Sequence, residues 1–214
     1  QKRVKRLVIY SSIAQVGFLI APFFALSIDS FSYVIFFLFI YLITSILVWG
    51  NLVSFYNSFN SFKNFLLKIP QTFFISNLAG LSKVNKLNAL SFIVIFFSIS
   101  GIPPFSGFLA KIFVFLSLLD LEMFLGAFFL ILINMVSVYY YIRIIKIVFF
   151  EVKKVNTNNL EFQMTYPTYN QDVTSLILAG LLMSLLLVFV YPTFFYLISH
   201  YVILGLENNF YITL

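Results

Sequence analysis

Between Leu90 and Leu119 only one side chain, Lys111, can ionise. Long apolar stretches recur at Leu7–Leu26, Phe31–Val53, Met123–Phe150, which carries Arg143 and Lys146 near its end, and Val173–Ile198. A helix that crosses roughly 30 Å of hydrocarbon needs about 20 predominantly apolar residues, and each stretch supplies about that or more. Composition points the same way. Only 9% of the residues are charged against roughly 25% in a soluble domain, so a water-facing surface cannot be covered. Disorder is excluded as well, because it needs low hydrophobicity and high net charge. Outer-membrane barrels need stretches of about 10 residues with alternating polarity, whereas Val34–Val48 and Leu176–Val190 run unbroken. The fold class is therefore an all-α polytopic membrane protein, read as one membrane domain over residues 1–214 with five transmembrane helices at about 7–26, 31–53, 90–119, 123–150 and 173–198.

Charges at the ends of these stretches set a topology. Lys2, Arg3, Lys5 and Arg6 open the chain, Lys63, Lys68, Lys83 and Lys86 lie in the segment 54–89, and Arg143, Lys146, Lys153 and Lys154 surround the end of the fourth span. The loops after the first and third spans carry Asp29, Asp120 and Glu122 without a Lys or Arg. Positive-inside counting places the basic group in the negative compartment, and five alternating spans satisfy it. The segment after Val53 reads as an extension of the second helix or a surface helix ended by Pro70. The net charge of +6 thus reports topology and not nucleic-acid binding. With no cysteine and a single histidine, His200, the chain offers no thiolate metal site, iron–sulfur ligation or haem pair. The first residue is Gln, which fits a true start upstream or a processed terminus, and the basic entry leads straight into a long span with no small-residue cleavage site, so no signal peptide is read here.

Lys111 is the residue that carries chemistry. Asp120 lies nine residues further on, so roughly 13 Å of helix separates the amine from that interface. An ionisable group at this depth costs about 2.5–3.5 kcal/mol on insertion scales, and intramembrane lysines mark proton and ion pathways. The plain alternative is a lysine that reaches an interface or serves as a buried counter-ion. Just upstream stands Gly101-Ile102-Pro103-Pro104-Phe105-Ser106-Gly107. The prolines lack N–H donors, Ile102 precedes a proline and is biased out of the helix, and Gly101 and Gly107 permit the remaining turns. A broken helix in a bilayer is tolerated where it is buried in protein or lines a wet cavity, and such breaks mark ion sites in transporters. The third span is expected to break here.

Other polar positions are weaker signals. Ser12 and Gln15 on the first span fit close helix packing, and Gln15 could also hold a water in a proton wire. Asn134 is centrally placed on the fourth span and could bridge to the Lys111 helix. Tyr139, Tyr140 and Tyr141 near a basic helix end read as an aromatic belt, with Tyr140 a possible proton-path residue. Gly180 and Ser184 on the fifth span point to one close helix contact.

Taken together, the run Ile75–Lys83 and Ser98–Phe113, with its Gly-Ile-Pro-Pro-Phe-Ser-Gly-Phe-Leu-Ala-Lys core, resembles the subunit 2 family of NADH–ubiquinone oxidoreductase, respiratory complex I. Lys5–Phe18 and Asn134–Lys146 resemble neighbouring stretches of that family in the same order, so the likeness covers at least Lys5 to Phe150. The Ser-Ser-Ile-Ala-Gln piece is shared more widely among antiporter-like subunits. The resemblance implies a second, inverted half-repeat of an antiporter-like fold, roughly its last five helices, with the family's proton-exit lysine at Lys111. It implies a C-terminal part of a mitochondrial inner-membrane subunit whose N-terminal helices sit on a separate polypeptide. The other membrane-arm subunits and lipids are its partners. NADH, FMN, iron–sulfur clusters and ubiquinone are then handled by other subunits, with no cofactor in this chain. Ala110 departs from the glycine that often precedes the family's lysine. A subunit of a related cation/proton antiporter and a structural segment without pumping remain as alternative readings.

Overall fold

A computed structural model of the chain describes residues 2–63, 74–79, 81–84, 86–151 and 172–212. In chain order these form α1 (Val4–Ile20), a 3-10 turn (Ala21–Ala25), α2 (Ile28–Lys63), a second 3-10 turn (Ile75–Leu78), α3 (Leu81–Val84), α4 (Lys86–Ser100), α5 (Ser106–Leu119), α6 (Phe124–Phe150), α7 (Asp172–Val190) and α8 (Pro192–Ile212). The architecture is all-helical, as the apolar runs require. Val4–Ala25, Ile28–Ser54 and Phe124–Phe150 are each long and apolar enough to cross a membrane.

The turn from α1 to α2 follows from its residues. Pro22 sits where α1 tightens into the 3-10 turn, and Leu26 takes a left-handed conformation at φ 47°. Ser27 and Ser30 then close a reciprocal cap. The Ser30 N–H donates to Ser27 Oγ and the Ser27 N–H to Ser30 Oγ, both at 3.1 Å. This satisfies N–H groups that the first turn of α2 leaves without partners, and Asp29 complements the positive end of the helix dipole. From there α2 runs to Lys63, 36 residues or about 54 Å, well beyond the thickness of a hydrocarbon core. The second span therefore does extend as a helix past Val53. Its continuation toward Pro70 lies outside the described residues, as does the loop 152–171.

α2 is the central post of the bundle and packs against α4, α5, α7 and α8. Phe36, Ile40, Leu47 and Val48 from α2 meet Ile95 and Phe96 from α4, Val114 from α5 and Val188 from α7 in the buried core. Helix association in lipid draws on such packing because no hydrophobic driving force separates the helices from their solvent. α6 buries one stripe, Ala127, Ser137, Tyr141, Ile144 and Val148, at the three-and-four spacing of one helix face. Its other faces present Phe128, Phe129, Leu132, Met135 and Val136 outward.

Charge separates the two ends. At one end the Ile75 N–H donates to the Lys2 carbonyl at 2.9 Å, and Ser82 Oγ donates to the Phe149 carbonyl at 3.4 Å, which gathers the basic N-terminus and the end of α6. At the other, His200 Nε2 lies 3.7 Å from Asp29 and Tyr196 donates to Asp29 at 3.5 Å.

Three expectations need correction. The stretch 173–198 is not one straight helix. α7 stops at Val190 and α8 leaves at an angle of 92°, because Pro192 has no N–H to continue the ladder and Tyr191 before it is driven out of the helical region. Gly180 makes no close contact, since a Cβ placed there would meet nothing within 4 Å. The close approach is at Gly50 on α2, where a Cβ would lie 2.6 Å from Leu178. Nor do the three tyrosines form one interfacial belt. Tyr139 is 72% exposed, but Tyr141 is 1% exposed and stacks on Phe96 with ring centroids 5.5 Å apart.

Candidate functional site

The segment between α4 and α5 builds the site. α4 ends in a Schellman arrangement. Gly101, at φ 76°, donates its N–H to the Ser98 carbonyl at 3.0 Å, and the Ile102 N–H reaches the Phe97 carbonyl at 3.1 Å. The carbonyls of Ile99 and Ser100 would next be bonded by the N–H groups four residues on. Those residues are Pro103 and Pro104, which have none. The doubled proline thus strips two consecutive carbonyls of their helical partners.

Lys111, one and a half turns into α5, fills the gap. Its Nζ donates to the Ile99 carbonyl at 2.8 Å, the Ser100 carbonyl at 3.0 Å and Asn134 Oδ1 at 2.6 Å. An ammonium has three donors, and all three are used on neutral acceptors. The residue is 3% exposed, and the ring of Phe18 on α1 stands 5.0 Å from the amine, within cation–π range. Gln15, also on α1, shares the Ile99 carbonyl through its Nε2 at 3.3 Å. Asn134 is steadied by Ser137, whose hydroxyl reaches Oδ1 at 3.3 Å. Four helices, α1, α4, α5 and α6, therefore meet at one amine. The three donors of the ammonium are all met, and a neutral amine would retain two donors, enough for the two carbonyls.

The glycines of this segment answer to contacts. A Cβ on Gly101 would meet Lys111 Cδ at 2.7 Å, and one on Gly107 would collide with the Ser98 carbonyl. Ser98 also receives the Gly107 N–H on its hydroxyl at 3.3 Å and lies 3.4 Å from the Ser106 hydroxyl, so it closes the start of α5 against the end of α4.

Among the residues singled out in the sequence, Gln15, Gly101, Asn134 and Lys111 come together here, with Pro103, Pro104 and Gly107 shaping the break. Ser12 stands apart, its hydroxyl donating to the Ile9 carbonyl at 2.7 Å. Tyr140 also stands apart, beside an open groove of about 400 Å³ between α1 and α6. Phe18 and Ser98 went unnoticed in the sequence, since neither a phenylalanine among 30 nor a serine in an apolar helix stands out. Among the described residues no group of three or more His, Cys, Asp or Glu side chains could hold a metal ion.

A helical membrane bundle with a proline-broken segment and a buried lysine defines an antiporter-like transmembrane class. The sequence matches the family described as "NADH:quinone oxidoreductase/Mrp antiporter, TM" over residues 1–138, and the chain belongs to that family. It is 30% identical over 200 residues to NADH-ubiquinone oxidoreductase chain 2 of Marchantia polymorpha, covering 94% of this chain and 37% of the relative. It is 38% identical over 151 residues to the chain 2 protein of Rhizopus oryzae, covering 71% of this chain and 28% of the relative. Two solved structures share the fold: respiratory complex I from Thermus thermophilus, with a TM-score of 0.67, 23% identity and coverage of 90% of this chain and 39% of the other, and the Mrp complex from a Dietzia species, with a TM-score of 0.69, 15% identity and coverage of 89% and 40%. The match covers between 28% and 38% of the length of these curated relatives.

Proposed function

We propose that the chain is part of subunit 2 of mitochondrial complex I, in the inner membrane, and that Lys111 carries a proton through its membrane arm. The observation that carries this reading is the lysine amine held by carbonyls that Pro103 and Pro104 free. In this reading α4 and α5 together make one interrupted crossing. Lys111 gives its proton toward the acidic end of the bundle, the side of Asp29 and Asp120, which positive-inside counting assigns to the intermembrane space. A change of charge in a neighbouring subunit drives the release, and the broken backbone supplies polar groups to the proton's route. NADH oxidation and ubiquinone reduction, with their FMN and iron–sulfur clusters, belong to other subunits. A chain without cysteine and with one histidine holds neither an iron–sulfur cluster nor a haem pair.

Lys111→Arg tests the proton-transfer role. Arginine keeps the charge and the donors but does not release its proton. The expected result is an assembled complex that translocates fewer protons per electron; unchanged translocation would refute the role. The likeness to an Mrp complex favours a second reading, an antiporter subunit with no link to electron transfer. Purification of the native complex decides between them: rotenone-sensitive NADH oxidation travelling with the chain supports complex I, and its absence supports the antiporter.

A further inference from the structure

The open groove of about 400 Å³ between α1 and α6 has a definite length and direction. Leu7, Tyr10 and Ala14 wall it on α1, and Ile133, Val136 and Ile144 on α6. Tyr10, Ile133 and Val136 stay exposed along it. The two helices run antiparallel, α1 starting and α6 ending at the basic end. The groove therefore has its mouth at Leu7 and Ile144 and its deep end at Ala14 and Ile133. Leu7 to Ala14 covers about 10 Å of helix, and Ile144 to Ile133 about 16 Å. Half of a hydrocarbon core is about 15 Å, so the groove is one leaflet deep, on the basic side. That length suits an acyl chain. It does not suit a further spanning helix, which needs about 20 residues and both leaflets.

The walls are apolar where a chain would lie. Two serines border them, and the hydroxyls of Ser11 and Ser137 donate to the Val8 and Asn134 carbonyls at 2.7 Å, so neither needs a polar guest. The mouth is different. Arg143 lines it and is exposed, and no hydrogen bond or ion pair to a described residue occupies its guanidinium. Arg3 and Arg6, also exposed, stand within about a turn of Leu7. Ile75 borders the same mouth, and its N–H holds the Lys2 carbonyl there at 2.9 Å. No described Asp or Glu lines the groove, and Glu151 stands about 12 Å further along α6 than Arg143. A guanidinium fork matches a phosphate, and basic pockets between spanning helices on the negative side take anionic headgroups. With no carboxylate to receive the ammonium of a zwitterionic lipid, the mouth favours a headgroup of net negative charge.

We propose that this groove binds one acyl chain of an anionic phospholipid from the basic-side leaflet, with the lipid phosphate on Arg143. Tyr139, on the rim of the groove and 72% exposed, is the amphipathic kind of side chain that sits at headgroup level. The lipid then fills the seam between α1 and α6, the two helices that bring Gln15 and Asn134 to the helix break. The proposal goes beyond the function proposed above and does not depend on proton transfer at Lys111.

The test uses the assembled membrane complex that contains this chain, stripped of lipid in detergent and returned to phosphatidylcholine nanodiscs. Each preparation carries a trace of phosphatidylglycerol or phosphatidylcholine with a photoreactive group on one acyl chain, and labelled peptides are located by mass spectrometry. Phosphatidylglycerol is expected to label Leu7–Ala14 and Ile133–Ile144 more strongly than phosphatidylcholine does. Arg143→Gln should lower that labelling about fivefold, the contribution of one basic side chain near the membrane surface, and Arg143→Lys should keep most of it. Labelling at Phe128 and Phe129, on the outward face of α6, should not change. Ala14→Phe, which fills the deep end, should lower labelling of the groove by both lipids. Equal labelling by the two lipids, or labelling indifferent to Arg143→Gln, would overturn the anionic headgroup. Groove peptides left unlabelled by both lipids while Phe128 and Phe129 are labelled would overturn the lipid itself. A density map of the unaltered complex reads the site without any variant. Elongated density running from Arg143 toward Ala14 is expected, and a protein helix seated in the groove would overturn the proposal.

Discussion

Gly107 and Gly126 are both helical glycines, and the structure separates them by what surrounds each. A Cβ at Gly107 would run into the Ser98 backbone carbonyl, whereas one at Gly126 would meet nothing within 4 Å. Gly107→Ala should therefore destabilise the bundle by about 1–3 kcal/mol or more, because backbone cannot step aside as a flexible side chain can. Gly126→Ala should be neutral or stabilise by up to about 1 kcal/mol through helix propensity. Thermal unfolding of the two purified variants side by side checks both, and equal melting temperatures would contradict the contact. Asn134 carries a different expectation. Asn134→Leu keeps much of the volume but removes the acceptor 2.6 Å from Lys111, leaving a buried donor unmet at a cost of about 1–3 kcal/mol. Urea or heat titration should show that loss, with Asn134→Asp recovering most of it. At this scale the sequence was most legible where a residue broke a pattern. Lys111 stood alone in an apolar stretch, and Asn134 stood near the middle of another. Phe18, Ser98 and Tyr141 broke no pattern, since their importance comes from which face of the helix turns inward.

The break between α4 and α5 is legible for a reason that is arithmetic in the helix ladder. Each N–H bonds the carbonyl four residues back, so prolines at 103 and 104 leave the carbonyls of 99 and 100 open whatever the tertiary fold. What the sequence could not show is that the open carbonyls and Lys111 find each other. That depends on the start of α5 lying against the end of α4 through the Ser98–Gly107 contact. The element-scale prediction follows. Pro104→Ala restores an N–H that competes with Lys111 for the Ser100 carbonyl. It should lower protons translocated per electron while leaving the complex assembled, measured by acidification per NADH oxidised; an unaltered ratio would mean that the freed carbonyl does not matter. The turn at Tyr191–Pro192 was written just as plainly, but a hydropathy reading averages across a proline and saw one apolar run. Gly180 and Ser184 misled for the opposite reason: small residues mark a helix contact only when a neighbour faces them, and here Gly50 holds that place.

At the scale of the whole molecule, charge and helix packing agree on a polar axis, with basic residues at one end and Asp29 with His200 at the other. The membrane orientation drawn from this predicts that protease added from the intermembrane-space side of sealed mitoplasts spares 151–172 and can reach the chain near Glu207. Cleavage within 151–172 would reverse the topology and, with it, the direction assigned to Lys111. The central claim is narrower than the topology and can be tested apart from it: the proton carried by this bundle rides on one amine. Lys111→Met removes the titratable group and preserves much of the side-chain volume. Protons translocated per electron, measured on the assembled complex beside its unaltered parent, should fall while NADH oxidation remains detectable. A ratio equal to the parent's would show that Lys111 is held at the helix break for packing alone, and would contradict the account.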